Sequence, residues 1–166
     1  MCKTLLEEGR SSIPIDLEID PHGMDLTTSR GFSNAIYQLL NVRPGGGHTS
    51  APVCSTWVFM SRGSTLRSVA SPLGRSDSES VRIGNLLAAR AIILLLIASA
   101  KSIFWILEQP GTSIMYLHPL FQRLIKLIPV QQFRMNMGDY GGHSKKPTIL
   151  YSSSSDLGFS FKFFCG

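Results

Sequence analysis

Apolar positions along this chain change period from one stretch to the next, and the changes mark out its elements. In IPIDLEI (13–19) apolar residues alternate with polar ones, which predicts a first strand. SRGFSNAIYQLLNV (29–42) sets Phe32, Ile36, Leu39 and Leu40 on one helical stripe, and RPGGG ends it. HTSAPVC (48–54) reads as a short strand. The segment 61–80 is rich in Ser, Arg and Gly without any period, and its length is that of a functional or mobile loop. LLAARAIILLLIASAKSIFWIL (86–107) is almost continuously apolar, but only the ten residues 91–100 separate Arg90 from Lys101. A membrane-spanning helix needs about 20 apolar residues, so this stretch predicts a buried helix over roughly 80–101 running into a strand, SIFWIL, and no membrane span. A turn at QPGTS leads to a short helix, HPLFQRLIKLI, and then to two strands, VQQFRMNM and PTILYSS, around GDYGGHS. About five strands interleaved with three helices predict an α/β fold with an open, mostly parallel sheet.

Length and composition narrow the picture. A chain of 166 residues with 43% hydrophobic content suffices for one core. The expected organisation is an N-terminal segment (1–12), one α/β domain (13–152) and a Ser/Phe-rich tail (153–166). Sixteen Lys+Arg against eleven Asp+Glu give a net charge of +5, which favours a polyanionic partner. Cys2, Cys54 and Cys165 are odd in number and far apart, so they suggest neither a disulfide framework nor a zinc ribbon. The start, MCKTLLEEGRSS, is not a signal peptide in pattern, and an intracellular protein of the cytoplasm or nucleus is expected.

Open α/β sheets bind ligands beyond the carboxyl ends of their strands, so polar residues at those ends are the candidates for chemistry. They are Asp16, Glu18 and Asp20 after the first expected strand, Cys54 and Ser55 after the second, Glu108 after the third, and Tyr140 to Lys146 between the last two. A carboxylate ending an early strand can accept both ribose hydroxyls, and Asp25 an adenine amino group; alternatively Asp20 or Asp25 caps a turn or the next helix. Cys54 reads either as a small buried hydrophobe beneath Trp57 and Phe59 or as a nucleophile facing Glu108. Arg62, Arg67 and Arg75 in the long loop, with Lys145 and Lys146, are expected to form a positive rim that binds nucleic acid.

APVCSTW, LEQPGTS and MGDYGGHSKKPTIL occur in the order of three motifs of the DNA cytosine-C5 methyltransferase family, which the chain resembles over roughly residues 13–152. The resemblance implies a Rossmann-like class I methyltransferase fold, S-adenosylmethionine as methyl donor and DNA as partner. It implies Cys54 as nucleophile, Glu108 as acid, Asp16 or Glu18 as ribose acceptor and Asp25 as adenine contact. The sequence departs from the pattern in two places. The family's opening strand and Phe-x-Gly-x-Gly loop have no counterpart before residue 13, so the domain is expected to be incomplete at its N-terminus and to bind the donor weakly. Lys145, Lys146 and Thr148 stand where the family has an Arg-x-Arg pair, and lysine lacks the planar fork of arginine. The alternative is a non-catalytic α/β scaffold that binds nucleic acid or a partner protein.

Overall fold

The computed structural model describes residues 11–140 and 146–154. Its elements are α1 (Ser29–Asn41), β1 (Gly47–Ser50), the single turn α2 (Arg62–Thr65), α3 (Glu79–Ala100), β2 (Phe104–Pro110), α4 (Pro119–Leu127), β3 (Gln131–Asn136) and β4 (Pro147–Ser152). Two of the helices begin at side-chain caps. The Thr28 hydroxyl accepts from the Gly31 amide to cap α1, and His118 Nδ1 accepts from the Leu120 amide to cap α4, which has Pro119 in its first turn.

Four strands form one open, mixed sheet in the order β1-β2-β4-β3. β1 and β2 run parallel, with Ser50 opposite Leu107, while β4 is antiparallel to both of its neighbours, with Glu108 opposite Leu150 and Phe133 opposite Leu150. The expected predominance of parallel pairs is therefore corrected. Only ten residues join β3 to β4, too few for a crossover, so these two strands pair as antiparallel neighbours. The reversed strand then occupies the place between β2 and β3.

The expected first strand is also corrected: residues 13–19 form an extended stretch and a turn. Pro14 offers no amide hydrogen, and Asp16 closes the chain on itself, its side chain accepting from the Glu18 amide at 3.0 Å and its carbonyl from the Ile19 amide at 3.1 Å. The alternating apolar residues find no sheet to cover. Ile13, Leu17 and Ile19 stay exposed, and only Ile15 packs against the core. The second strand stops at Ser50, before Pro52.

The core lies between one face of the sheet and the helices. Trp105 and Leu107 of β2 and Ile149 and Tyr151 of β4 pack with Ala88, Ile92 and Leu95 of α3, Ala35 and Leu39 of α1, and Phe121 and Leu124 of α4. Strand alternation sends Phe104, Ile106 and Glu108 to the opposite face. By length and composition α3 could cross a membrane, with a mean hydropathy of 2.0 over its most apolar window. Eight of its residues, from Val81 to Ala98, are buried in this fold. The two charges that bracket its apolar run have structural partners: Arg90 donates to the Leu26 and Thr28 carbonyls ahead of α1, and Lys101, the residue after α3, donates to the Leu40 carbonyl near the end of α1. The charges that interrupt the apolar run thus clamp α1 at both ends.

One glycine in α3 is set by close packing. A Cβ on Gly84 would lie 2.4 Å from Thr56 Oγ1 and 3.3 Å from an Arg67 guanidinium nitrogen. Alanine in a helix interior normally gains about 1 kcal/mol over glycine. Here overpacking reverses the sign, and Gly84→Ala is expected to destabilise by about 1–3 kcal/mol. A rise in urea midpoint for this variant would show that Thr56 and Arg67 are free to move aside.

Candidate functional site

Cys54 lies four residues past β1 on a turn closed by the Trp57 amide, which donates to the Cys54 carbonyl at 2.8 Å. The thiol is half-buried and free. It is not sealed by its neighbours, because Trp57 turns inward and is fully buried while Phe59 turns outward and is 61% exposed. Glu108 sits in β2 one residue past Leu107, the last position paired with β1. Cys54 and Glu108 therefore follow the paired ends of neighbouring parallel strands on the same edge of the sheet, where adjacent strands lie about 4.8 Å apart.

What holds the cysteine turn is a buried arginine that the sequence reading assigned to nucleic acid. Arg67 is only 2% exposed, so it cannot join a positive rim. Its guanidinium carbon stands 3.5 Å from the centre of the Trp57 ring. Its nitrogens donate to the Pro72 and Val81 carbonyls, the Asn85 side-chain oxygen and the Thr56 hydroxyl. All these acceptors are neutral, and burial pushes the guanidinium pKa down to about 10. The arginine ties residues 56, 72, 81 and 85 into one unit, so the aperiodic segment 61–80 is anchored to α3 at its middle. Arg75 pairs with Asp77 and is likewise committed. Of the remaining rim candidates, Arg62 is half-buried, Lys146 is exposed, and Lys145 lies outside the described residues.

The Trp57–Arg67 stack has a third member. His118 approaches the Trp57 ring edge-on at 5.8 Å between centroids. Burial and then the positive charge of Arg67 push its pKa down to about 4. Neutral imidazole is what the α4 cap requires, since Nδ1 must keep its lone pair to accept from Leu120.

Of the acids expected to hold the donor, Asp16 and Asp25 are engaged in local turns, as is neighbouring Asp20. Asp16 accepts from Glu18, and Asp20 from His22 and Gly23. Asp25 takes both the amide and the hydroxyl of Thr27, each at 2.7 Å, and these bonds hold its carboxyl below the usual range. None of Asp16, Glu18 and Asp25 ends a strand. Asp16 and Asp25 so engaged offer no matched pair of acceptors to a ribose diol and an adenine. The turn-capping alternative for Asp20 and Asp25 accords with their hydrogen bonds. Among the described residues no group of three or more His, Cys, Asp or Glu side chains could hold a metal ion.

A cleft of about 460 Å³ opens beyond the carboxyl end of β2, on the helix-facing side of the sheet. Arg62, Arg134, Gln132, Thr112 and Tyr116 are among its lining residues. Sequence reasoning missed it, because Arg134 and Gln132 sit mid-strand and only the strand order carries them next to Thr112. No family model matches the chain, and no curated protein or solved structure is similar to it.

Proposed function

We propose that this chain is a DNA cytosine-C5 methyltransferase-like protein of the Rossmann-like class I type, in which Cys54 adds to C6 of cytosine and Glu108 supplies the accompanying proton. The observation that carries the reading is that a half-exposed cysteine turn and a carboxylic acid follow the paired ends of two neighbouring parallel strands, at the same edge of the sheet. Thiolate addition at C6 opens the C5–C6 double bond, and the electron pair moves through C4 to N3, where Glu108 delivers a proton. Without that proton, charge would accumulate on the ring. The resulting C4–C5 enamine is a carbon nucleophile, and in the family it accepts the methyl group of S-adenosylmethionine. Because Asp16 and Asp25 are taken up by local turns and none of these acids ends a strand, the reading for this chain extends to the addition step and assigns no residue to the donor.

The addition has its own readout. Protonation of the enamine at C5 by water, followed by loss of the original C5 hydrogen and expulsion of Cys54, exchanges that hydrogen with solvent. DNA carrying tritium at cytosine C5 is expected to release label with the protein, Cys54→Ala to abolish release, and Glu108→Gln to lower it about 100-fold, within the usual range for a general acid. Release that persists in Cys54→Ala would overturn the assignment of the nucleophile.

The second reading is a non-catalytic α/β scaffold that binds nucleic acid or a partner protein, favoured by the local engagement of Asp16 and Asp25. It expects no tritium release by any form of the chain.

A further inference from the structure

The 460 Å³ cleft lies in the size range of small-molecule sites and is built differently from the cysteine turn. Neither Cys54 nor Glu108 lines it, and strand alternation puts Glu108 on the other face of the sheet from Gln132 and Arg134. Arg62 comes from the single turn α2, and its guanidinium carbon lies 5.0 Å from the centre of the Phe59 ring. Arg134 comes from the middle of β3. No carboxylate is among the lining residues, and neither arginine has an ion pair among the described residues. Among the described residues the Arg62 Nε is buried without a hydrogen-bond partner, a cost that a ligand reaching it would remove.

The rest of the lining completes a pattern. Gln132 and Thr112 offer amide and hydroxyl groups, and Phe59 and Tyr116 present aromatic surface, 61% and 39% exposed. Two planar guanidinium forks with no anion select a group with several negatively charged oxygens, and phosphate matches them. An amide and exposed aromatic rings beside it suit a heterocyclic base. We infer that this cleft binds the phosphate and base of one nucleotide, either a free nucleoside 5′-monophosphate or one unit of a nucleic-acid strand. This inference does not depend on the reading at Cys54.

The test is titration of the full chain, by calorimetry at low salt, with the nucleoside 5′-monophosphates, the matching nucleosides and a single-stranded 12-mer. At least one monophosphate or the 12-mer is expected to bind saturably, nucleosides at least tenfold more weakly, and Arg62→Ala and Arg134→Ala each to weaken binding at least tenfold. Arg134 is exposed, so its replacement leaves the core untouched. A 12-mer tighter than every monophosphate by tenfold identifies a strand as occupant, and the reverse identifies a free nucleotide. Binding retained in Cys54→Ala, whatever the tritium result, separates this cleft from the nucleophile. No saturable binding, or binding indifferent to both arginine replacements, overturns the inference.

Discussion

Trp57→Ala is expected to cost about 3–5 kcal/mol of folding stability, the usual range for emptying a buried aromatic site. Small domains are stable by only about 5–15 kcal/mol, so the variant should be near the limit of folding. Trp57 is fully buried, and beyond its own turn it is held by contacts of its ring and its carbonyl. Its indole nitrogen donates to the Gly84 carbonyl, its ring carries the Arg67 guanidinium, His118 meets its edge, and its carbonyl accepts from the Ile114 amide at 3.0 Å. Removing the ring leaves a cavity and also takes the aromatic face from a buried, unpaired cation. Trp57→Phe keeps an aromatic face and loses the indole hydrogen bond, and about 1–2 kcal/mol is expected. Urea unfolding followed by circular dichroism checks both. A loss under about 1 kcal/mol for the alanine variant would mean that the Arg67 cluster does not depend on the ring.

Acid should unfold the protein through His118. Its pKa is about 4 in the folded chain and near the ordinary 6.5 when unfolded, so the unfolded state takes up a proton first. The stability due to its neutral form is present above about pH 6.5 and is lost progressively as pH falls from 6.5 to about 4, below which the loss levels off. The shift corresponds to a total of about 3 kcal/mol. His48, whose pKa is also lowered by burial, adds to the loss in the same direction. His118→Asn keeps a capping acceptor but cannot titrate, and should flatten the curve over that window. Urea midpoints at intervals between pH 7.5 and pH 4 test this. An unchanged slope in His118→Asn would place the titration elsewhere.

Why a histidine titration and a buried arginine dominate these expectations bears on what can be read from a sequence. The long elements were legible because each is specified by its own residues. The stripe of Phe32, Ile36 and Leu39 gives α1, the apolar run after Ser78 gives α3, and the β-rich SIFWIL and PTILYSS give β2 and β4. The strand ends that bring Cys54 and Glu108 to one edge were legible too, since parallel pairing of β1 and β2 follows from the helix between them.

The partners of β3, of β4 and of residues 13–19 were not legible, and the remaining differences trace to contacts between distant segments. Residues 13–19 have the alternation of a strand, but a strand needs a neighbour to satisfy its backbone groups, and Asp16 satisfies them within a turn instead. Arg67 reads on paper as one more loop cation. Only the folded chain brings Trp57, Val81 and Asn85 around it, from up to 18 residues away, and converts a surface charge into a structural one. His118 carries no local sign of burial, because the ring that covers it is 61 residues earlier in the sequence. The sequence by itself determined the helices α1, α3 and α4 and the strands β2, β3 and β4, because those preferences are set by neighbours a few positions apart. The tertiary structure decided the strand order, the burial of Arg67 and the placing of Arg62 and Arg134 in the lining of one cleft, because these depend on contacts between distant segments that no local pattern encodes.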